Sequence, residues 1–261
     1  MPSNFLMSDM TWQDVQDALK RSDIVLFPVG STEQHSTHLP LNNDIFTSFE
    51  ISKRVAEKLA PETAVLVAPP LPFGLSSHHM GFPGTISFRV DTFIEAVKDV
   101  CRSLAAHGFR NIVIVNGHGG NTSALHLATG QIASEINAKV FLVEWWDLVP
   151  DVIAKLFTPP FFHACETETS MVLALDQRVD SAKAKPSVPQ QVSSFVAHDF
   201  MAVGPKVYEP LLDMRVITQT GAVGDPTKAS RDKGQELLDA VIERFASFIK
   251  ELKRSREGPP V

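Results

Sequence analysis

The amino-acid sequence predicts an α/β fold, a single domain over residues 1–261 that forms a three-layer α/β/α sandwich with a mostly parallel, doubly wound sheet. Short apolar runs alternate with longer segments whose apolar residues recur at helical spacing. No repeat, low-complexity tract or linker interrupts this alternation. A composition of 44% hydrophobic and 21% charged residues is normal for a globular domain.

The first strand is predicted at residues 23–30, a continuous apolar run that ends in glycine, as expected for a strand buried on both faces of a parallel sheet. A helix follows the next polar loop, because apolar residues there recur at helical spacing; these are Ile45, Phe49, Val55 and Leu59. Residues 64–71 form a second apolar run and predict the second strand.

Two further strands are predicted in the same alternating order. A helix is expected to begin near Thr92, because Thr92 and Glu95 stand in capping-box spacing, and to end at Gly108. Residues 111–121 are typical of a strand followed by a glycine-rich turn, and residues 139–146 of another strand. A helix between these two strands completes the doubly wound pattern.

The C-terminal part combines an irregular stretch with an amphipathic terminal helix after Thr227. Residues 179–224 are rich in proline and serine and predict a long surface excursion at an active site or a subunit contact. Phe195, Phe200 and Val207 lie in this excursion, and a monomer would have to leave them at its surface. We therefore expect a homo-oligomer.

Bulk properties exclude several classes of partner. A formal net charge of -6 offers no basic patch for phosphate backbones, so nucleic acid is not expected. No apolar run approaches the ~18 to 20 residues that span a bilayer, and the N-terminus lacks a signal-peptide pattern, so no membrane partner is expected. Cys101 and Cys165 lack the spacing of a disulfide framework or thiolate zinc site, which fits a cytoplasmic protein.

Candidate metal ligands collect directly after the predicted strands, where parallel sheets bind ligands. They are carboxylates and imidazoles, a donor set that suits Zn²⁺ or Mn²⁺: Glu33, His35, Asp44, His118, His163, Glu166 and Glu168. Glu33 and His35 are two residues apart, so in extended chain they point the same way and reach one of two ions each, with Asp44 between the ions. Two ions ~3.5 to 4 Å apart can share one hydroxide, the expected nucleophile.

Four ordered motifs resemble the signature motifs of the creatininase family over nearly the whole chain. They are GSTEQHSTHLPLNND at residues 30–44, FPGTIS at 82–87, NGHGGN at 116–121 and HACETETS at 163–170. The resemblance implies an α/β/α fold with two divalent ions per chain, Zn, Mn or Fe. It also implies hydrolysis of a carbon–nitrogen bond in a small-molecule amide, usually a cyclic amide or a formamide, by a cytoplasmic homo-oligomer that is often a hexamer.

The resemblance also implies roles for single residues. The metal ligands are Glu33, His35, Asp44, His118 and Glu168. His163 is the catalytic or substrate-orienting histidine, and Glu166 remains open as a base or as the ligand in place of Glu168. The substrate-binding candidates are Ser77, His79, Gly119, Gly120, Asn121 and Trp145, with Trp146 as the alternative to Trp145 in the pocket wall. Gly119, Gly120 and Asn121 also have a purely structural interpretation as a tight turn and a helix cap, and Trp145 as a core residue.

The chain departs from the family pattern at two places. Creatininase proper has a GHYEN turn that supplies a glutamate ligand, whereas Gly120 stands at that position here, so creatinine itself is not the expected substrate. The family commonly has Gly-Pro after the first histidine, where this chain has Ser36 and Thr37. A peptide, a ring carbon–carbon bond or an ester remains an alternative target, and a metal-stabilised binding protein without catalysis remains an alternative function.

Overall fold

The computed structural model describes residues 5–189, 193, 195, 196, 198–202 and 207–254. A four-stranded, fully parallel sheet lies at its centre, with the strand order β2-β1-β3-β4. The strands are β1 (Ile24–Val29), β2 (Val65–Val67), β3 (Asn111–Asn116) and β4 (Lys139–Glu144). The winding direction reverses between β1 and β3, and the crevice at the carboxyl ends of these two strands is where such sheets bind ligands.

Helices cover both faces of the sheet. The described residues form seven α-helices, namely α1 (Trp12–Leu19), α2 (Asn43–Leu59), α3 (Val90–Ala106), α4 (Thr122–Ala133), α5 (Pro150–Leu156), α6 (Glu166–Ala174) and α7 (Arg231–Arg254). Successive strand residues point to opposite faces, so Leu26 packs against α2 and α7 while Phe27 packs against α3 and α4. The predicted α/β/α sandwich with a parallel, doubly wound sheet is confirmed.

Element boundaries differ from the prediction at three places. Strand β2 pairs only over Val65–Val67, because Pro69 and Pro70 have no backbone N–H to continue a ladder. Helix α3 begins at Val90, and its N-cap residue is Arg89 rather than Thr92. Strand β4 ends at Glu144, where a 3-10 helix (Trp145–Leu148) follows.

The irregular stretch at residues 179–224 contains short 3-10 helices at Ser181–Lys183 and Met214–Val216 within its described part. Phe195 and Phe200 are each 49% exposed and Val207 is 58% exposed, in agreement with the sequence. Across the described helices, none combines the length and the apolar character that a membrane crossing needs.

Candidate metal centre

The start of helix α2 packs directly against the ends of β1 and β3. A Cβ atom added at Gly30, just after β1, would lie 2.5 Å from the backbone nitrogen of Ile45. A Cβ atom at Gly117, just after β3, would meet the carbonyl oxygen of Asp44. Only glycine allows an approach this close. Asp44 therefore reaches both strand ends from the first turn of α2, where the helix dipole also favours a carboxylate.

Five of the predicted residues converge with His163 at this edge of the sheet. The side chains form three groups in which the possible ligand atoms all lie within 4.8 Å of one another: Glu33, His35 and His163; Glu33, Asp44 and His118; and His35, Asp44 and Glu168. Glu33, His35, Asp44 and His118 are buried, whereas Glu168 is partly exposed. Glu33, His35 and Asp44 each belong to two of the groups, so the three groups overlap and form one cluster.

Both carboxylate oxygens of Asp44 face an imidazole. His35 Nε2 lies 2.8 Å from Asp44 Oδ1, and His118 Nδ1 lies 3.0 Å from Asp44 Oδ2. The second nitrogen of His118, Nε2, lies 3.2 Å from Glu33 Oε2. A continuous chain of carboxylates and imidazoles therefore runs from Glu33 through His118 and Asp44 to His35.

The cluster fits a site for divalent cations. Several of its buried atoms have no hydrogen-bond partner in the described part of the chain, although some have an ion-pair neighbour: Glu33 Oε1, His35 Nε2, Asp44 Oδ2 and Glu168 Oε2. Buried polar atoms of folded proteins nearly always make hydrogen bonds, so this concentration at one place indicates cation ligands. Carboxylates and imidazoles without thiolates suit Zn²⁺, Mn²⁺ or Fe²⁺.

The pKa values of the buried groups also fit a site for cations. Burial raises the pKa of Glu168 to about 7 and that of Glu33 to about 6, because desolvation penalises a carboxylate. Burial by itself lowers the pKa of His35, but the facing Asp44 carboxylate outweighs it and the pKa rises to about 10. The three carboxylates therefore create a local need for positive charge, which divalent cations also meet.

His163 lies between the cluster and an adjoining cavity. Its Nε2 lies 2.8 Å from the backbone carbonyl oxygen of Gln34 and 3.0 Å from the side-chain amide nitrogen of the same residue. The other ring nitrogen, Nδ1, faces the cluster, 3.6 Å from Glu33 Oε1. This placement is compatible with a ligand and with a proton-transfer group, so the catalytic role of His163 stays a prediction.

Glu166 points away from the cluster, which corrects the prediction of a catalytic or ligating role. Residues two apart on an α-helix point in nearly opposite directions, so Glu166 and Glu168 leave α6 on different sides. The Glu166 carboxylate accepts from Lys233 Nζ at 2.5 Å and from the backbone N–H of Thr158 at 3.2 Å. It joins α6 to α7.

The prediction that Asn121 binds substrate is also corrected, because its side chain connects loops rather than facing a substrate. Its Nδ2 donates to the carbonyl oxygen of Gly30 at 3.0 Å, and its Oδ1 accepts from the backbone N–H of Leu75 at 2.9 Å. The residue is fully buried. It fixes the loop after β1 to the turn after β3 and so supports the cluster indirectly.

A cavity of about 720 Å³ opens beside the cluster and is lined in part by Asp44, His118, His163 and Glu168. The remaining substrate-binding candidates all lie along it: Ser77, His79, Gly119, Gly120 and Trp145. His79 and Trp145 contribute little accessible surface, being 2% and 4% exposed. Sequence reasoning missed Phe162, although it stands next to the HACETETS motif and lines the same cavity.

Comparison with known proteins identifies the family of this chain. The family model for creatininase, described as creatinine amidohydrolase, matches residues 8–249. The chain belongs to the creatininase family. Creatinine amidohydrolase of Pseudomonas putida is 31% identical over 281 residues, covering 100% of both chains. Mycofactocin precursor peptide peptidase of Mycolicibacterium smegmatis is 32% identical over 247 residues, covering 90% of this chain and 87% of the relative.

A solved structure agrees with this assignment. A mutant creatininase described as the Zn-Zn type superposes with a TM-score of 0.77 at 29% identity, covering 98% of this chain and 99% of the other. The named relatives of this creatininase-family chain are hydrolases, and its own structure brings candidate metal ligands together at the expected edge of the sheet. The chain is a hydrolase.

Proposed function

We propose that this protein is a binuclear metal-dependent amidohydrolase that cleaves the carbon–nitrogen bond of a small-molecule cyclic amide or formamide. The position of Asp44 carries the proposal. Its two oxygens face different imidazoles, at 2.8 Å for His35 and 3.0 Å for His118. One ion would be held by Glu33, Asp44 and His118, the other by His35, Asp44 and Glu168. Each set contains two carboxylates and one imidazole.

Zn²⁺, Mn²⁺ or Fe²⁺ bound there supplies Lewis acidity, which polarises a carbonyl and activates water. The chain's own residues arrange the remainder of the reaction. His163 is held through Nε2 by the Gln34 carbonyl, so its ring is oriented toward the cluster, where it can transfer a proton to the leaving nitrogen. Gly119 and Gly120 keep side chains out of the cavity beside His118.

A peptide is the second candidate substrate. The Mycolicibacterium smegmatis relative at 32% identity is named a peptide peptidase. A cavity of about 720 Å³ is within the range of pockets that hold drug-sized ligands, and a short peptide segment would also fit such a volume. A purely structural metal site is less consistent with the geometry, because Asp44, His118 and Glu168 line an open cavity instead of a closed shell.

Metal analysis and an activity screen on the same preparation test the proposal. Protein purified without chelators should contain close to two divalent ions per chain and hydrolyse members of a panel of cyclic amides, formamides and short peptides. Asp44→Ala should lose both ions, whereas Glu33→Ala and His118→Ala should mainly lose one. Glu166→Gln is the matched control, because its carboxylate faces Lys233, and it should keep both ions.

Two results would count against the proposal. Full two-ion occupancy in Asp44→Ala protein would show that Asp44 does not hold both ions. Absence of bound metal in the wild type, together with no gain of amide hydrolysis when Zn²⁺, Mn²⁺ or Fe²⁺ is added, would reject the binuclear hydrolase.

A further inference from the structure

One wall of the cavity is a stack of aromatic rings. The ring of Phe200 lies 5.0 Å from that of Phe162 at an interplanar angle of 22°. The Phe200 ring also stacks on the ring of Trp146, with a distance of 6.2 Å between the ring centroids and an interplanar angle of 16°. All three residues line the same cavity as His118 and Glu168. The stack therefore borders the space in which a substrate would meet the candidate metal ligands.

Phe200 brings this wall close to the cluster. A Cβ atom added at Gly119 would lie 2.6 Å from Phe200 Cζ, so the ring rests directly on the turn after β3. Gly119 is the neighbour of His118 in the chain. A group that lies against the rings would consequently hold an attached amide beside a candidate metal ligand.

The position of Phe200 is fixed, yet part of its ring is available. Its backbone N–H donates to the carbonyl oxygen of Phe161 at 3.0 Å, and the backbone N–H of Met201 donates to Asp199 Oδ1 at 2.8 Å. Even so, Phe200 is 49% exposed. Aromatic rings attract further planar rings in offset or edge arrangements, which changes affinity by roughly 2- to 10-fold per contact beyond simple burial.

We propose that Trp146, Phe162 and Phe200 form a subsite for a planar apolar group, such as a phenyl ring, carried by the amide substrate. This proposal rests on the proposed amidohydrolase function, since it names the group that accompanies the scissile bond. A small alkyl amide would leave this wall of the cavity without a contact.

Binding of three amides to the metal-loaded protein tests the subsite. Phenylacetamide, cyclohexylacetamide and acetamide share one amide group and differ in a planar ring, a non-planar ring and no ring. Calorimetry should show phenylacetamide binding roughly 2- to 10-fold more tightly than cyclohexylacetamide, with acetamide weakest. Phe162→Leu and Phe200→Leu, which keep an apolar side chain, should reduce the preference for phenyl over cyclohexyl and leave acetamide binding unchanged.

Phe195→Leu is the matched control, because Phe195 has the same 49% exposure in the same stretch of chain but does not line the cavity. It should keep the phenyl preference. Equal binding of the two ring amides by the wild type would overturn the subsite, and so would an undiminished preference in Phe162→Leu and Phe200→Leu. The subsite would also be overturned if Phe195→Leu lost as much of the phenyl preference as Phe162→Leu and Phe200→Leu.

Binding and turnover separate the two proposals. A phenyl preference in protein that hydrolyses no amide would reject the proposed hydrolysis and keep the subsite. Amide hydrolysis by a protein with no preference between the two ring amides would keep the hydrolase and reject the subsite.

Discussion

Asn116 holds the backbone of His118 on both sides: its Oδ1 accepts from the His118 N–H at 3.0 Å, and its Nδ2 donates to the His118 carbonyl oxygen at 2.8 Å. The same Nδ2 lies 2.9 Å from Glu144 Oε1 at the end of β4. Two neighbouring strand ends therefore fix the turn that carries a candidate metal ligand. Groups that orient a ligand in this way contribute to metal affinity.

Asn116→Ala should weaken Zn²⁺ binding by about 10- to 100-fold, because the His118 turn loses both side-chain hydrogen bonds. Competition with a chelator of known affinity measures this loss. The free energy of unfolding should also fall, by about 1 to 3 kcal/mol, since buried backbone groups are left unpaired.

Asn111→Ala is the control for this change. Asn111 occupies the opposite end of β3, is also buried, and donates to Asp23 Oδ1 at 3.2 Å. The control should be less stable than the wild type but bind Zn²⁺ equally well. Equal Zn²⁺ affinities in Asn116→Ala and Asn111→Ala protein would contradict a specific role for Asn116.

The sheet and the ligand cluster could be predicted because both depend on strong local signals. Strands buried on both faces are continuous apolar runs, and Glu33 and His118 follow two such runs at the ends that border the switch point. The choice between Glu166 and Glu168 could not be made, because it depends on where α6 begins. Cys165 at its N-cap makes no side-chain capping bond that would mark the start.

The aromatic wall was less accessible to sequence reasoning. Phe200 belongs to a stretch without helical or strand periodicity, so its partners Trp146 and Phe162 are set by tertiary packing alone. The loop role of Asn121 was missed for a similar reason. Its partners, Gly30 and Leu75, are 91 and 46 residues away in the chain.

Ser36→Gly should stabilise the protein. Ser36 has a φ of 58°, in the left-handed region that glycine adopts without steric strain. Relief of a penalty of about 1 kcal/mol is partly offset by the larger conformational entropy of glycine in the unfolded chain. The net rise in the free energy of unfolding should be about 0.5 kcal/mol, measurable by urea denaturation.

The control for this prediction is Ser36→Ala, which also removes the hydroxyl but keeps a Cβ atom in the left-handed conformation. It should gain less than Ser36→Gly, because both variants remove a hydroxyl that has no hydrogen-bond partner among the described residues and only glycine relieves the backbone. A stability equal to that of Ser36→Gly would mean that the hydroxyl, and not the backbone conformation, determines the effect.

Exposed apolar side chains support the proposal of a homo-oligomer. Tyr208, Leu212 and Val216 are 88%, 82% and 81% exposed in the single chain. Burial of such residues between copies would remove them from water. Light scattering at micromolar concentration should give a multiple of the 28.7 kDa chain mass, six-fold for the hexamer that the family resemblance implies. A mass near 28.7 kDa would reject the oligomer.

His163→Asn should separate proton transfer from metal binding. The Gln34 carbonyl orients the imidazole, and the ring lies 4.4 Å from that of His35, so the group is near the proposed ions. If His163 protonates the leaving nitrogen, the variant should keep close to two ions per chain and lose about 10² to 10⁴-fold in kcat. The loss should be largest for amides with poor leaving groups, since these depend most on protonation.

His38→Asn is the matched control, because His38 is a buried histidine near the cluster that bonds Thr169 Oγ1 at 3.0 Å and does not line the cavity. The folded His38→Asn variant should have the same kcat as the wild type. Loss of an ion from His163→Asn protein would make His163 a ligand, which its grouping with Glu33 and His35 allows sterically. Full activity with both ions retained would show that the proton reaches the leaving nitrogen from water, since Glu166 is bound to Lys233 on the far side of α6.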